Sequence, residues 1–224
     1  MPRAAAKPPT KIHRRKRMKN YINFEGTKIA LTDEQVEQLR VVLGAKNPDT
    51  NTTLESVAVG ETFKLGKYEF IVLERIGDND TAVILKNLLF EMEEFGENNN
   101  YNGSNVDKLC IDFGNEIKGI VGEGNIVEHI VDLTSDDGLK DYGTITRYMS
   151  LITADMYRKY VYILDKHKLD AWWWLATPWS TPTHEENEWV KCVSPLGDIY
   201  YGSYFSNIGV RPFCILNSNI FVSN

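Results

Sequence analysis

Trp172-Trp173-Trp174-Leu175-Ala176-Thr177-Pro178 and, further on, Gly209-Val210-Arg211-Pro212-Phe213 are the segments that decide the reading of this chain. Successive side chains of a strand alternate between its faces, so three consecutive indoles cannot share one side. Trp173 points opposite to Trp172 and Trp174, giving one face an indole for a core and the other an indole for a loop layer or a ligand. Core packing is the ordinary role for Trp173 and Leu175. Arg211 stands among residues that fix backbone geometry, which points to a structural arginine bonding loop carbonyls rather than a catalytic one. Trp173, Trp174, Leu175, Pro178, Gly209, Arg211 and Pro212 are therefore expected to form a frame.

Between these segments runs Ile199-Tyr200-Tyr201-Gly202-Ser203-Tyr204-Phe205-Ser206-Asn207-Ile208. Recognition loops favour Tyr, Ser, Gly and Asn, because Tyr gives contact area at little entropic cost while Ser and Asn adapt. Trp179, Trp189, Tyr200, Tyr201, Tyr204, Phe205 and Asn207 are the expected ligand contacts. Period-two alternation sends Tyr200 and Tyr204 to one face and Tyr201 to the other, with Trp189 and Lys191 bordering the surface. The competing reading is an ordinary aromatic hairpin, Lys191–Ser194 with Ile199–Tyr201 around the turn Pro195-Leu196-Gly197-Asp198. Alanine at Tyr201, Tyr204 and Phe205 together separates the two: binding is lost with folding intact in the first, and melting collapses in the second.

Upstream, Thr62-Phe63-Lys64-Leu65 and Tyr68-Glu69-Phe70-Ile71-Val72-Leu73 alternate around Gly66-Lys67 and read as a hairpin. Thr81-Ala82-Val83-Ile84-Leu85 is a third strand after the turn Gly77-Asp78-Asn79-Asp80. Ser104 caps a helix with Val106, Leu109, Cys110, Phe113, Ile117 and Ile120 inward, and Thr153 caps another with Met156, Tyr157, Tyr160, Val161 and Leu164 inward. Early strands, middle helices and late strands make this an α+β domain.

Ahead of that domain, Tyr21–Phe24 and Lys28–Leu31 flank Glu25-Gly26-Thr27 as a small hairpin. Thr32-Asp33-Glu34-Gln35 is a capping box for a helix with Val36, Leu39, Val42 and Leu43 on one face and Gly44 at its end. Residues 45–53 read as a linker. The expected organisation is a basic tail (1–17), a hairpin–helix appendage (19–44) and the main domain (54–224).

These residues resemble a domain-of-unknown-function family widespread in phages and gut bacteria (domain of unknown function 6273). Its signature is a WWLRSPG-like segment followed by GVRPA near the end. Trp173-Trp174-Leu175-Ala176-Thr177-Pro178 and Gly209-Val210-Arg211-Pro212-Phe213 carry the likeness. Gly66-Lys67-Tyr68-Glu69-Phe70-Ile71-Val72-Leu73 is similar to the family's GKYEWRVLD strand, and Ser150-Leu151-Ile152-Thr153 to its FLLS segment. The match spans roughly residues 54–222. Ala176 departs from it, standing where the family usually has Arg. The resemblance implies a C-type-lectin-like domain with short twisted sheets and two or three helices, a fold shared with formylglycine-generating enzymes and with the variable proteins of diversity-generating retroelements. In those proteins the diversified stretch lies just before a fixed structural close, and most residues from 199 to 208 are reachable from Asn codons by changing adenines.

Several chemistries lack their residues. The four histidines have no metal-ligand spacing, and the three cysteines (Cys110, Cys192, Cys214) form no CxxC pair. No metal site, cofactor or catalytic residue is expected. Asp132–Gly138 lacks calcium-loop spacing and reads as an acidic turn, while His184-Glu185-Glu186-Asn187-Glu188 offers ligands without a second acidic cluster. Cys192 and Cys214 carry an oxidase-like reading only by analogy with formylglycine-generating enzymes; their apolar neighbours favour inert buried thiols. Reduced thiols fit a cytoplasmic or virion-associated protein, with a Cys192–Cys214 disulfide as the alternative. Neither a secretion signal nor an apolar run of about 20 residues is present, so no membrane contact is expected.

Charge is unevenly spread. Seven of the 25 Lys and Arg fall in residues 1–17, which hold no acid, so the other 18 face all 31 Asp and Glu. A body that acidic is not drawn to nucleic acid by its general field. Arg14, Arg15, Lys16 and Arg17 alone offer a weak nucleic-acid contact, and a regulator using this tail is the alternative function. The leading expectation is a non-catalytic recognition module of phage or prophage origin. Its partner is a protein or a glycan held by the C-terminal hairpins, with oligomer formation open.

Overall fold

The computed structural model describes residues 20–24, 27–32, 35 and 52–223. The chain divides into two units, Met1–Pro48 and Asp49–Asn224. The basic tail, the helix expected after Gln35 and most of the linker lie outside the described residues.

In the first unit, β1 (Asn20–Phe24) pairs antiparallel with β2 (Thr27–Leu31). Thr27 pairs with Phe24, so it begins the second strand instead of belonging to the turn. The capping box closes in both directions: Thr32 Oγ1 accepts the Gln35 N–H at 3.2 Å, and Gln35 Oε1 accepts the Thr32 N–H at 3.0 Å.

The second unit is α+β, built mostly of sheet with two helices. The strands are β3 (Thr62–Leu65), β4 (Tyr68–Ile76), β5 (Asp80–Leu85) and β6 (Phe90–Glu94), followed by helix α1 (Asn105–Val121). Next come β7 (Ile126–Val127), β8 (His129–Asp132), β9 (Thr144–Arg147), β10 (Met149–Ser150) and helix α2 (Ala154–Leu164). Last are β11 (Trp173–Pro178), β12 (Trp189–Val193), β13 (Ile199–Ser203), β14 (Asn207–Val210) and β15 (Phe213–Asn217). One sheet runs β10-β15-β5-β4-β3, with β7 also on β15; the other runs β13-β12-β11-β14-β6; β8 and β9 form a separate ribbon.

Local chemistry explains these elements. Gly66 turns β3 into β4 at φ +58°, a conformation that costs only glycine nothing. Ser104 Oγ accepts the Asp107 N–H at 3.1 Å and Thr153 Oγ1 accepts the Met156 N–H at 3.2 Å, so both helices start on a side-chain cap.

Two cores lie on opposite faces of the central strands, which is why those strands read as unbroken apolar runs. In β4, Phe70 and Val72 enter the first core while Ile71 and Leu73 enter the second. In β11 the division is Trp174 and Ala176 against Trp173 and Leu175. Helix α1 covers the first core with Val106, Cys110, Phe113 and Ile117, and α2 covers the second with Tyr157, Tyr160 and Leu164. Ile120 does not follow the inward stripe. It is 44 % exposed, because the buried face of α1 steps from Ile117 to Val121, four residues on, and Val121 packs on the core in its place.

The ends of the unit clasp one another. Leu54 N–H donates to Ile220 O and Val222 N–H to Thr52 O, both at 3.0 Å, while Arg75 reaches the carbonyls of Leu54 and Glu55 at 2.9 Å.

Gly209 shows why the second signature segment needs a glycine. Here β14 runs parallel to β11, and the Gly209 N–H donates to Trp172 O at 2.9 Å. A Cβ at this position would stand 2.8 Å from that carbonyl oxygen and 2.5 Å from Leu88 Cδ1. The leucine can turn away, but the backbone cannot. Gly209→Ala is expected to lower stability by about 1–3 kcal/mol, the usual cost of overpacking. Thermal melting checks this, and an unchanged Tm overturns it.

Candidate aromatic recognition surface

The sheet that carries β11 ends on β13, with no described strand beyond it. At that free edge five aromatic side chains meet in sequence. Trp172 lies 5.7 Å from Tyr200 (ring centroids), Tyr200 5.0 Å from Tyr201, and Tyr201 4.9 Å from Trp179 and 5.5 Å from Trp189. Trp172, Trp179, Tyr200 and Tyr201 are each 40–51 % exposed, and Trp189 is half-buried.

The strand register keeps the expected alternation of Tyr200 and Tyr201. Tyr201 pairs with Lys191 and Tyr200 with Cys192, so the two tyrosines leave the strand on opposite faces, yet their rings stack with only 4° between planes. An inner strand would keep them apart. At an outer strand both rings reach round the edge and cover each other. Tyr204 falls on the first-core side of the sheet that Tyr200 also takes, opposite Cys192. It lies past the end of β13, donates its backbone N–H to Glu188 O at 2.9 Å, and packs half-buried on the first core with its ring against Phe205 at 5.4 Å.

The structure thus brings together Trp179, Trp189, Tyr200 and Tyr201 of the expected contacts. Tyr204 and Phe205 form a separate pair, and Asn207 is exposed on β14 opposite Glu94. Trp172 joins the belt although the sequence reading did not count it among the contacts. The signal was available: two of three consecutive indoles fill the two cores, and the third precedes the strand and has neither to enter.

A buried cation supports the belt. Lys191 is 6 % exposed; its Nζ sits 3.1 Å from Asp136 Oδ2 and 4.6 Å from the centre of the Trp179 ring. Asp136 also accepts from Arg158 at 3.0 Å. Desolvation pushes the Asp136 carboxyl up, but its bonds from Arg158 and Lys191 outweigh that and hold it below the ordinary carboxylate range.

The segment between Trp179 and Trp189 is pinned by two further aspartates of the 132–141 turn region. Ser180 Oγ donates to Asp137 Oδ2 at 2.6 Å, and His184 Nδ1 lies 2.9 Å from the same oxygen. Thr181 and Thr183 hydroxyls both donate to Asp141 Oδ2 at 2.5 Å. Asn99 Nδ2 donates to the carbonyls of Ser180 and Trp189 at 3.0 and 3.2 Å, and Tyr142 donates to Asn99 Oδ1 at 2.7 Å. The turn's acids are therefore used to hold a neighbouring loop. Among the described residues no group of three or more His, Cys, Asp or Glu is placed to hold a metal ion.

These bonds make the loop acid-sensitive. Desolvation raises the Asp137 carboxyl, but hydrogen bonds from Ser135, Ser180 and His184 prevail and hold it well below the ordinary range. Bonds from Thr181 and Thr183 lower Asp141. A carboxyl depressed in the folded state contributes its stabilisation above its unfolded pKa, about 4, and loses it as pH falls below that value. The loop is expected to loosen below about pH 4, seen as faster amide exchange across residues 180–188. Unchanged protection in that range would count against the aspartate staples.

The frame residues lie beneath this surface. Trp173, Trp174 and Leu175 are buried in β11, and Pro178, paired with Val190, accepts the Asp136 N–H at 3.0 Å. Arg211 is 1 % exposed and donates to Leu85 O at 2.9 Å, Lys86 O at 3.0 Å and His167 O at 3.4 Å; Pro212 O accepts the Leu85 N–H at 2.9 Å.

All three cysteines are free and buried. Burial pushes the Cys110 and Cys192 thiols up to about 12 and Cys214 higher, the opposite of nucleophile activation. Cys192 lies in β12 opposite Trp174, and Cys214 lies in the other sheet opposite Val83. No described helix is long and apolar enough to cross a membrane. Comparison with protein-family models, with curated proteins and with solved structures finds no match.

Proposed function

We propose that this chain is a non-catalytic recognition module whose ligand, a protein or a glycan, seats on the aromatic belt centred on Tyr201. One observation carries the reading: five aromatic side chains form a continuous chain of ring contacts at a sheet edge with no described strand beyond it, on a scaffold whose two cores already bury 41 other hydrophobic residues. A chain that fills both cores so completely has no folding need for surface indoles. Clustered, rigid aromatic rings at a surface are characteristic binding anchors.

A C-type-lectin-like arrangement is the finer architecture we propose. It is supported by the clasped ends of the unit, the two helices on opposite cores and the long pinned loop between β11 and β12. Membership of the WWLRSPG/GVRPA family, phage or prophage origin and retroelement diversification extend the same reading. The Tyr-, Ser- and Asn-rich run from 199 to 208, lying between two framed segments, supports them.

The test uses arrays of glycans and of bacterial surface proteins, probed with the wild-type chain and with a Trp179→Ala/Tyr200→Ala/Tyr201→Ala variant of unchanged melting temperature. The reading holds if the wild type binds a defined subset that the variant loses. It is abandoned if the variant keeps every hit.

A further inference from the structure

A cavity of about 250 Å³ lies between helix α1 and the segment that leads from β9 into β10. Ile111, Asn115 and Lys118 line it at positions i, i+4 and i+7, one stripe of the helix. Gly114 allows the helix to come so near, since a Cβ there would stand 3.1 Å from Met149 Cβ. Residues 146–149 and Glu128 complete the wall. Ile111 and Tyr148 remain exposed, so the cavity offers aliphatic and aromatic surface that neither core has absorbed.

Three charged residues share this wall, and their partners differ. The Arg147 guanidinium is engaged at all three nitrogens. Nε and Nη2 donate to the two Asp107 oxygens at 2.9 and 2.7 Å, Nη2 also to Asn102 Oδ1 at 2.9 Å, and Nη1 to Thr146 O at 2.9 Å. Asp107 balances that charge. Lys118 Nζ sits 3.9 Å from the centre of the Tyr148 ring and meets no carboxylate at ion-pair distance among the described residues. Glu128 is exposed and makes no hydrogen bond or ion pair among the described residues. One free cation and one free anion thus line the same cavity without meeting each other, and each is open to an opposite charge on a ligand.

We propose that this cavity binds one small zwitterion with an apolar body, the size of a single amino acid. Its carboxylate pairs with Lys118, its ammonium with Glu128, and its apolar part lies against Ile111 and Tyr148. The volume, about 250 Å³, is below the roughly 300–1,000 Å³ of pockets for drug-sized ligands, which suits an amino acid and excludes a helix or a folded partner. A simple carboxylate would leave Glu128 unmatched in the same cavity, and a simple amine would leave Lys118 so; a ligand with both charges answers both. The Tyr148 ring holds the ammonium of Lys118 in place beforehand, which reduces the side-chain freedom lost on binding. No residue of this cavity belongs to the aromatic belt, so the proposal stands or falls separately from the recognition reading.

Backbone amide shifts of the full chain, titrated with leucine and with 6-aminohexanoate, decide it; the two probes carry their charges close together and far apart. At least one is expected to move the amides of residues 111–118 and 146–149 with a Kd on the order of 1 mM, within reach of so small a ligand. Counterparts with a single charge should bind roughly fivefold more weakly: N-acetylleucine and leucinamide for the first probe, hexanoate and hexylamine for the second. Lys118→Gln and Glu128→Gln, which remove charge with little change of shape, should each weaken the zwitterion by a similar factor. Shifts that fall elsewhere, or none, overturn the proposal. Equal binding of either single-charge counterpart overturns it too, since the cavity then reads the apolar body and one charge only.

Discussion

Replacing Trp174 by alanine is expected to cost about 3–5 kcal/mol of stability, while the same change at Trp172 should cost under about 1 kcal/mol. Trp174 is fully buried in the first core, with its ring edge-on to Phe95 at 5.3 Å. Its Nε1–H donates to Glu93 O at 2.9 Å, holding outer strand β6 to the sheet. The far end of the indole fills the space above Gly202, where a Cβ would stand 3.1 Å from it. Alanine therefore leaves a cavity and removes a donor from a backbone carbonyl, two losses that add. Trp172 has no such place; it is exposed against Tyr200. Chemical denaturation of the two variants measures the difference. Equal losses would mean that the belt belongs to the core, and the recognition reading would fall with it.

The second large effect concerns binding. Tyr201 is the hub of the belt, in ring contact with Trp179, Trp189 and Tyr200, whereas Trp172 touches the belt only through Tyr200. Energy at recognition surfaces concentrates on central, well-packed anchors. Tyr201→Ala should therefore weaken binding of an array-identified ligand at least roughly 30-fold, about 2 kcal/mol. Asn207→Ala, on a strand the belt does not reach, should change affinity less than threefold or so. Titration of both variants against the same ligand is the measurement. A reversed order, with Asn207 dominant, would move the site from the β13 edge to β14.

Much of the framework was legible because it rests on local chemistry. Ser104 and Thr153 could be named as caps since a hydroxyl reaches the backbone N–H three residues on wherever a helix begins. The Gly66-Lys67 hairpin follows equally from short-range constraints, whereas the acceptors of Arg211, on Leu85, Lys86 and His167, are brought to it only by the fold. Ile120 was misplaced because helical periodicity says which positions share a stripe, and not where the core beneath it ends.

The candidate site was only half legible. Residue type placed Trp179, Trp189, Tyr200 and Tyr201 together as aromatic contacts, and alternation put Tyr200 and Tyr201 on opposite faces of β13, but neither showed that their rings stack round its edge. Alternation holds within a sheet; it does not say which strand is outermost. The use of Asp136, Asp137 and Asp141 to hold Lys191, Ser180, Thr181 and His184 was also invisible, since those contacts join residues about 40 to 55 positions apart.

By itself the sequence determined the α+β class, the helix starts, the buried thiols and the division of Trp173 and Trp174 between opposite faces, all consequences of side-chain period and local hydrogen bonding. Only the tertiary structure decided that β13 is the outermost described strand of its sheet, that five rings meet there, and that Arg211 shares a cavity with Ser194 and Lys168. Strand order and long-range packing set those features, and neither is encoded in the spacing of neighbouring residues.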